Sequence, residues 1–173
     1  MIILRLKIFF IILLFYLFTT YQLFAFINFG AGYSFSNENN WMLRIGYESD
    51  VFVANADYFI DTTWNVNAGF FFKTQMSFYI GPMINILNKF STSNMKITYG
   101  PAFTLSYDQL EAKVGLLSDF SQGFQLTNFS ENLYTQIRYY VPDPPGMKMR
   151  DKLYVELRYF SSHITILIGL LEP

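Results

Sequence analysis

The sequence predicts an all-β fold, an antiparallel up-and-down β-barrel of about ten strands, with eight strands as the alternative. Apolar and polar residues alternate with a period of two along most of the chain, as in "MKITYGPAFTLSY" at 95–107. That period is typical of a β-strand with one apolar face. Groups of turn-forming residues such as "SNENN" and "PDPPG" separate these segments, which favours a series of hairpins.

The first 25 residues have the layout of a secretory signal peptide. Arg5 and Lys7 precede an uninterrupted apolar run over 8–18, and a more polar stretch then ends at Ala25. This order predicts a signal over 1–25 that is cleaved near Ala25, and a barrel over 26–173. An uncleaved membrane anchor over 8–27 is the alternative.

Ten alternating segments follow the signal. They lie near 27–35, 41–48, 51–60, 64–73, 76–87, 95–107, 110–118, 132–141, 152–160 and 163–171. The turns after the second, fourth and sixth segments are tight, whereas "NKFSTSN" and 119–131 form longer connections. An up-and-down barrel in a membrane has short turns at one end and longer loops at the other, so the spacing supports that topology.

The composition limits the classes of function. The 173 residues carry a net charge of -1, contain no cysteine, and are 20% aromatic and only 14% charged, against roughly 25% charged in an average soluble domain. There is no basic surface for nucleic acid and no disulfide. One histidine and scattered carboxylates predict neither a metal site nor another cofactor.

The glycines indicate which way the apolar face points. Gly46, Gly69, Gly81, Gly100 and Gly115 all lie in the polar phase of their segments. Small residues are needed inside a narrow barrel, where side chains are crowded, but not on a solvated surface. The apolar face is therefore predicted to meet lipid, and the polar face to line the lumen.

The charged residues of the polar phase are mixed in sign, which predicts a paired network that fills the lumen and stabilises the barrel. Its predicted members are Arg44, Glu48, Asp57, Lys73, Lys96, Glu111, Lys113, Arg138, Glu156 and Arg158. Within it, Glu111 is the predicted partner of Lys96.

Aromatic residues cluster near the ends of the apolar faces, as expected at the two interfaces of a bilayer. The predicted outer girdle contains Tyr33, Trp41, Tyr58, Trp64 and Tyr159. The predicted inner girdle contains Tyr47, Phe72, Phe78, Tyr107 and Tyr139.

The alternation, the signal and repeated steps such as "AGYSF", "YIGPM" and "TYGPAF" resemble the small outer-membrane β-barrel proteins of the OmpA/OmpX-like class. The resemblance implies the cell outer membrane as the location, and outer-membrane lipid and the barrel insertion machinery as partners. The class usually ends its last strand on an aromatic residue, whereas this chain has Leu170 and Leu171 there.

A structural or surface-interaction role with a largely plugged lumen is the predicted function, and 119–131 is the predicted loop for a surface partner. The alternatives are a narrow channel for small solutes and a soluble lipocalin-like barrel with an apolar ligand. A lipid hydrolase would need His163 with a nearby serine, Ser161 or Ser162, and a match to His-x-Ser-Asn. Thr165 replaces that serine, so the protein is predicted not to be an enzyme.

Proline positions predict one irregularity. Gly-Pro occurs at 81–82 and at 100–101, in segments that form one hairpin. Proline cannot donate to a strand ladder. Pro82 is therefore predicted to lie opposite Pro101, or within one pair of it, at a shared kink or bulge.

Overall fold

In a computed structural model, the described residues are 26–35, 40–75, 77–89, 94–121, 132–144, 152–160 and 163–172. The predicted signal over 1–25 lies outside them. They form a closed antiparallel barrel of ten strands, which confirms the predicted fold class and strand number. No helix among these residues is long and apolar enough to cross a membrane.

Two of the ten strands are interrupted by one residue. The strands are β1 (Phe26–Phe35), β2 (Asn40–Glu48), β3 (Phe52–Phe59), β4 (Thr63–Phe70, continued by Phe72–Gln75), β5 (Phe78–Lys89), β6 (Asn94–Tyr107), β7 (Leu110–Leu116, continued by Ser118–Asp119), β8 (Leu133–Tyr140), β9 (Lys152–Phe160) and β10 (His163–Glu172). Each strand pairs with its neighbours in sequence, and β1 pairs with β10 to close the ring.

One connection is shorter than the sequence predicted, and the irregular lengths visible in the sequence, short at "DTT" and long at "VPDPPGMKMRD", are present in the structure. The β5–β6 strands extend to Lys89 and from Asn94, so most of the predicted long loop "NKFSTSN" is shortened to 90–93. Among the connections at the same end, only the one between β7 and β8 is long. The connection between β8 and β9 is also long, although it lies at the end with the tight turns. Loop length alone therefore separates the two ends poorly.

Apolar side chains cover the outside of the barrel, and polar side chains face the lumen. On β10, Ile164, Ile166 and Ile168 are exposed, whereas Thr165 and Leu167 are buried. The same alternation occurs on β2, where Leu43 is 63% exposed. The apolar face thus points outward, as the glycine pattern indicated.

Pro82 lies directly opposite Pro101, and the β5–β6 register stays unbroken through both residues. The predicted kink or bulge within this pair was therefore wrong. The carbonyl oxygens of the two prolines point away from each other, toward Gly69 on β4 and Gly115 on β7. In a strand, the nitrogen and the carbonyl oxygen of one residue point to the same side, so Pro82 lacks a donor toward β4 and Pro101 lacks one toward β7. The two flanking ladders are interrupted at Phe71 and Leu117 instead.

The backbone of each flanking strand lies in close contact with the glycine that precedes each proline. A Cβ at Gly81 would overlap the carbonyl oxygen of Phe70, and one at Gly100 would overlap that of Leu116. The same local arrangement therefore occurs on both sides of the β5–β6 hairpin. A missing donor loosens the ladder, and the absence of a side chain lets the neighbouring strand approach closely.

This arrangement predicts a contrast between two glycines. Gly81→Ala should lower the free energy of unfolding by about 1–3 kcal/mol, since backbone atoms must shift to admit the new methyl group. Gly115→Ala is the matched control, because its Cβ would meet Ala102 at an ordinary 3.4 Å. Urea unfolding of the barrel in lipid vesicles measures both changes. Equal midpoints for the two variants would contradict the proposed close approach.

Candidate functional site: the barrel lumen

The most highly charged part of the lumen is a chain of ion pairs that crosses the bore. Arg44 on β2 donates from Nε to Asp57 Oδ1 at 2.6 Å and from Nη1 to Glu156 Oε1 at 2.7 Å. Arg158 on β9 also donates to Asp57. Since β2, β1 and β10 separate β3 from β9 around the ring, the Asp57–Arg158 pair bridges opposite parts of the wall.

Arg138 extends the chain of ion pairs toward one end of the barrel. We call it the tight-turn end, because the short turns 49–51 and 108–109 lie there. Its Nη2 donates to Glu156 Oε2 at 3.0 Å, and its Nη1 donates to Glu48 Oε2 at 2.7 Å. The guanidinium also lies 4.3 Å from the centre of the Tyr154 ring, a cation–π distance. Arg138 is fully buried, with 0% of its surface exposed. The ion pairs of this and the preceding paragraph join three arginines and three carboxylates, so the charges of the network balance.

The predicted network residues are not all brought together. Arg44, Glu48, Asp57, Arg138, Glu156 and Arg158 form the balanced network just described. Lys113 lies instead near Glu111, with 3.9 Å between Nζ and Oε1. Lys73 is exposed toward the end of its strand.

The predicted pairing of Lys96 with Glu111 was wrong. Glu111 pairs in register with Ser106 on β6, and Lys96 precedes Ser106 by ten residues. At about 3.4 Å per residue the two levels are roughly 34 Å apart along the strand. Lys96 lies instead near the level at which Thr98 pairs with Asp119.

A row of asparagines, which the sequence analysis did not identify, adds neutral hydrogen bonds. Register pairing aligns Asn28, Gly46, Asn55, Asn67 and Asn85 across the first five strands. Asn28 donates from Nδ2 to Asn55 Oδ1 at 3.0 Å and to Glu48 Oε1 at 2.7 Å, which links the row to the ion pairs. Gly46 leaves the space that Asn55 occupies.

An apolar cluster lines the lumen on the strands from β4 to β9. It consists of Phe71, Met83, Ala102, Leu117, Tyr134 and Phe160. Phe71 and Leu117 are the two residues at which the flanking ladders are interrupted, and they are 5% and 0% exposed. We call this cluster the apolar septum. Together with the ion pairs, these buried side chains occupy much of the lumen.

The predicted girdle residues lie at opposite ends of the outer face. Tyr33 pairs in register with Trp41, and Tyr58 pairs with Trp64, close to the connections at one end. Tyr107, 78% exposed, and the rest of the second group lie near the tight turns. Their role at a bilayer interface stays a prediction.

His163, the residue considered for catalysis, does not point into the lumen with Thr165. The His163 side chain is exposed, whereas Thr165 is buried in the lumen with its Oγ1 3.4 Å from Ser34 Oγ. Ser161 and Ser162 lie outside the described residues, as does most of 119–131. Among the described residues, no three histidine, cysteine or acidic side chains could jointly hold a metal ion.

Comparison with known proteins supports the fold. No protein-family model matches the chain, and no curated protein sequence is similar to it. A structure of "KdgM porin in complex with disordered oligogalacturonate" is 11% identical, with a TM-score of 0.50 over 84% of this chain and 98% of that one. A structure of "KdgM porin" is 12% identical over the same shares, with a TM-score of 0.49. The chain therefore has the porin-like fold of a small outer-membrane β-barrel.

Proposed function

We propose that the protein is an outer-membrane β-barrel with a structural or surface-interaction role, and that its closed lumen does not conduct. The observation that carries the proposal is the two-part filling of the bore. Ion pairs such as Asp57–Arg158 join opposite parts of the wall, and the apolar septum fills the remaining side. A solute that crosses the lumen is expected to displace buried, hydrogen-bonded charges, which is costly.

The outer face supports insertion in a membrane. Large apolar side chains such as Trp41, Ile60 and Phe72 are more than 60% exposed, and exposed apolar surface of this extent marks a lipid or protein contact. Most strands have 8–14 residues, near the 9–11 that a tilted transmembrane strand needs. A soluble lipocalin-like barrel would carry its apolar face inward, so the alternative of a soluble ligand carrier has no support here.

The arrangement of the ends supports an orientation. The first residues of β1 and the last of β10 lie at the end with the tight turns 49–51 and 108–109. Outer-membrane barrels have short periplasmic turns and longer outer loops, and the longest connection, between β7 and β8, lies at the opposite end. This orientation would place 119–131 at the cell surface, where it could meet a partner. A cleaved signal over 1–25, insertion by the barrel machinery and the absence of enzymatic activity complete the proposal.

The narrow channel remains the second candidate, since the KdgM structure similar in fold contains oligogalacturonate. An acidic oligosaccharide requires cationic groups that are available to it. In this lumen, Arg44, Arg138 and Arg158 each contact a carboxylate within 3.2 Å. Their charge is therefore already compensated, and the lumen offers little attraction to a polyanion.

Conductance across a planar bilayer distinguishes the two candidates. Barrels purified from the membrane fraction, and shown to be folded by heat-modifiable migration on a denaturing gel, are expected to insert without steady current. Gramicidin in the same bilayer is the positive control for detection. Steady, step-like current from the wild-type protein would refute the closed lumen, and block of that current by oligogalacturonate would establish the channel alternative.

A further inference from the structure

A cavity of about 170 Å³ opens between the apolar septum and the tight-turn end of the barrel. Residues of the β2–β3 turn line it, and so does Phe71 of the septum. Since the function proposed above has a lumen closed beyond Phe71, and this step rests on that proposal, a molecule that enters must leave the way it came. The cavity is therefore placed to bind a small molecule and not to pass one.

One wall of the cavity carries polar groups that are only loosely engaged. Lys113 is 5% exposed, and its Nζ lies 3.9 Å from Glu111 Oε1, at the limit of an ion pair. Thr104 pairs in register with Lys113. Its Oγ1 is buried without a hydrogen-bond partner among the described residues. Buried polar groups are nearly always hydrogen-bonded, so this wall has donors and an acceptor to offer to a bound molecule.

The adjoining wall, on β3, β4 and β5, is apolar. Val53, Phe71 and Tyr79 line it, and the Lys113 ammonium lies 4.9 Å from the centre of the Phe71 ring. The cavity thus presents the ammonium of Lys113 beside the carboxylate of Glu111 and an apolar surface, and Asp50 of the β2–β3 turn adds a second, exposed carboxylate to its lining. Glu48 also lines the cavity, but its two carboxylate oxygens already accept from Asn28 and Arg138.

The mixed charges determine which ligand fits. An anion placed against Lys113 would lie close to the Glu111 carboxylate, and a cation placed against Glu111 would lie close to the Lys113 ammonium. In either case repulsion would offset the attraction. A molecule that carries both charges satisfies both groups at once.

We infer that this cavity binds a small zwitterion with an apolar side chain, of the α-amino acid type. The ligand carboxylate accepts from Lys113 Nζ and Thr104 Oγ1, and its ammonium donates to Glu111. Its side chain packs against Val53, Phe71 and Tyr79. This inference concerns a binding site at the tight-turn end and goes beyond the structural role proposed above.

Calorimetric titration of the detergent-solubilised, folded barrel tests the inference with three matched probes. L-Leucine carries both charges, 4-methylpentanoate lacks the ammonium, and isoamylamine lacks the carboxylate. Leucine is expected to bind at least tenfold more tightly than either analogue. Absence of leucine binding, or equal binding of leucine and one analogue, would overturn the inference on the wild-type protein alone.

Two variants test the placement of the charges. Lys113→Met and Glu111→Gln should each weaken leucine binding at least tenfold. Glu111→Gln should also bring the dissociation constants of leucine and 4-methylpentanoate closer together, because the group that binds the ligand ammonium is lost. Lys152→Met is the matched control, since Lys152 pairs with Asp143 outside the cavity. Heat-modifiable migration verifies that each variant is folded. Unchanged leucine binding in a folded Lys113→Met barrel would refute the site.

Discussion

Glu156→Gln is expected to lower the free energy of unfolding of the barrel by about 3–5 kcal/mol, the usual cost of removing one partner from a buried ion pair. Glu156 is 1% exposed and is the one carboxylate of the network that binds both Arg44 and Arg138. The amide retains the shape of the side chain but loses the charge. Two buried guanidinium groups would then share less negative charge than they need.

The matched control for this substitution is Glu111→Gln. It removes the same charge from another lumen-facing side chain, but the Glu111 side chain is 20% exposed and lies 3.9 Å from Lys113. Its loss should cost less than about 1 kcal/mol, as for weak and partly solvated pairs. Urea unfolding in lipid vesicles, followed by the fluorescence of Trp41 and Trp64, measures both variants. Similar midpoints would show that the ion pairs across the bore contribute little to stability.

The contrast between these two glutamates also shows what the sequence could and could not predict. Period-two alternation places Glu111 and Glu156 in the same polar phase, so both are expected to face inward. In the structure Glu111 lines the cavity and Glu156 lies in the ion-pair network. The pattern carries no information on which strands lie opposite each other across the lumen. The wrong pairing of Lys96 with Glu111 has another cause. These residues lie on adjacent strands, and the tight turn at 108–109 sets a register in which Glu111 lies opposite Ser106.

The apolar septum was missed for a different reason. Phe71 lies within "GFFFK" and Leu117 follows another leucine, so in both places the alternation is locally lost and the lumen-facing apolar residue cannot be told from its lipid-facing neighbour. The asparagine row was visible as polar-phase residues, but its alignment depends on five registers at once. Proline chemistry was more informative. It predicted that Pro82 lies opposite Pro101. The irregularity, however, occurs where β4 and β7 pair with this hairpin, and not between the two prolines.

The double substitution Phe71→Ala with Leu117→Ala is expected to make the barrel, whose lumen we propose to be closed, conduct ions. Both side chains belong to the septum, and Phe71 lines the cavity at the tight-turn end. Their removal would connect this cavity with the polar level above it, where Asn67 and Asn85 each carry a buried polar atom without a partner among the described residues. A polar, roomy opening of this kind fills with water.

Truncation of the septum is preferable to removal of an arginine, because it leaves no unpaired charge in the lumen. Each change should cost about 2–5 kcal/mol of stability, so folding is verified first by heat-modifiable migration. The control is Phe72→Ala with Leu116→Ala, which makes the same chemical changes one position along each strand. Phe72 is 61% exposed on the outer face, and Leu116 lies in the same outward phase of its strand.

Planar-bilayer recording is expected to give step-like currents for the septum variant, and none for the wild type or the lipid-facing control. Because the three arginines and three carboxylates of the ion-pair network remain balanced, the new path should discriminate weakly between potassium and chloride. A folded septum variant without current would mean that the ion pairs close the lumen by themselves. Current from the lipid-facing control as well would attribute conduction to a loosened wall, and would contradict the septum as the barrier.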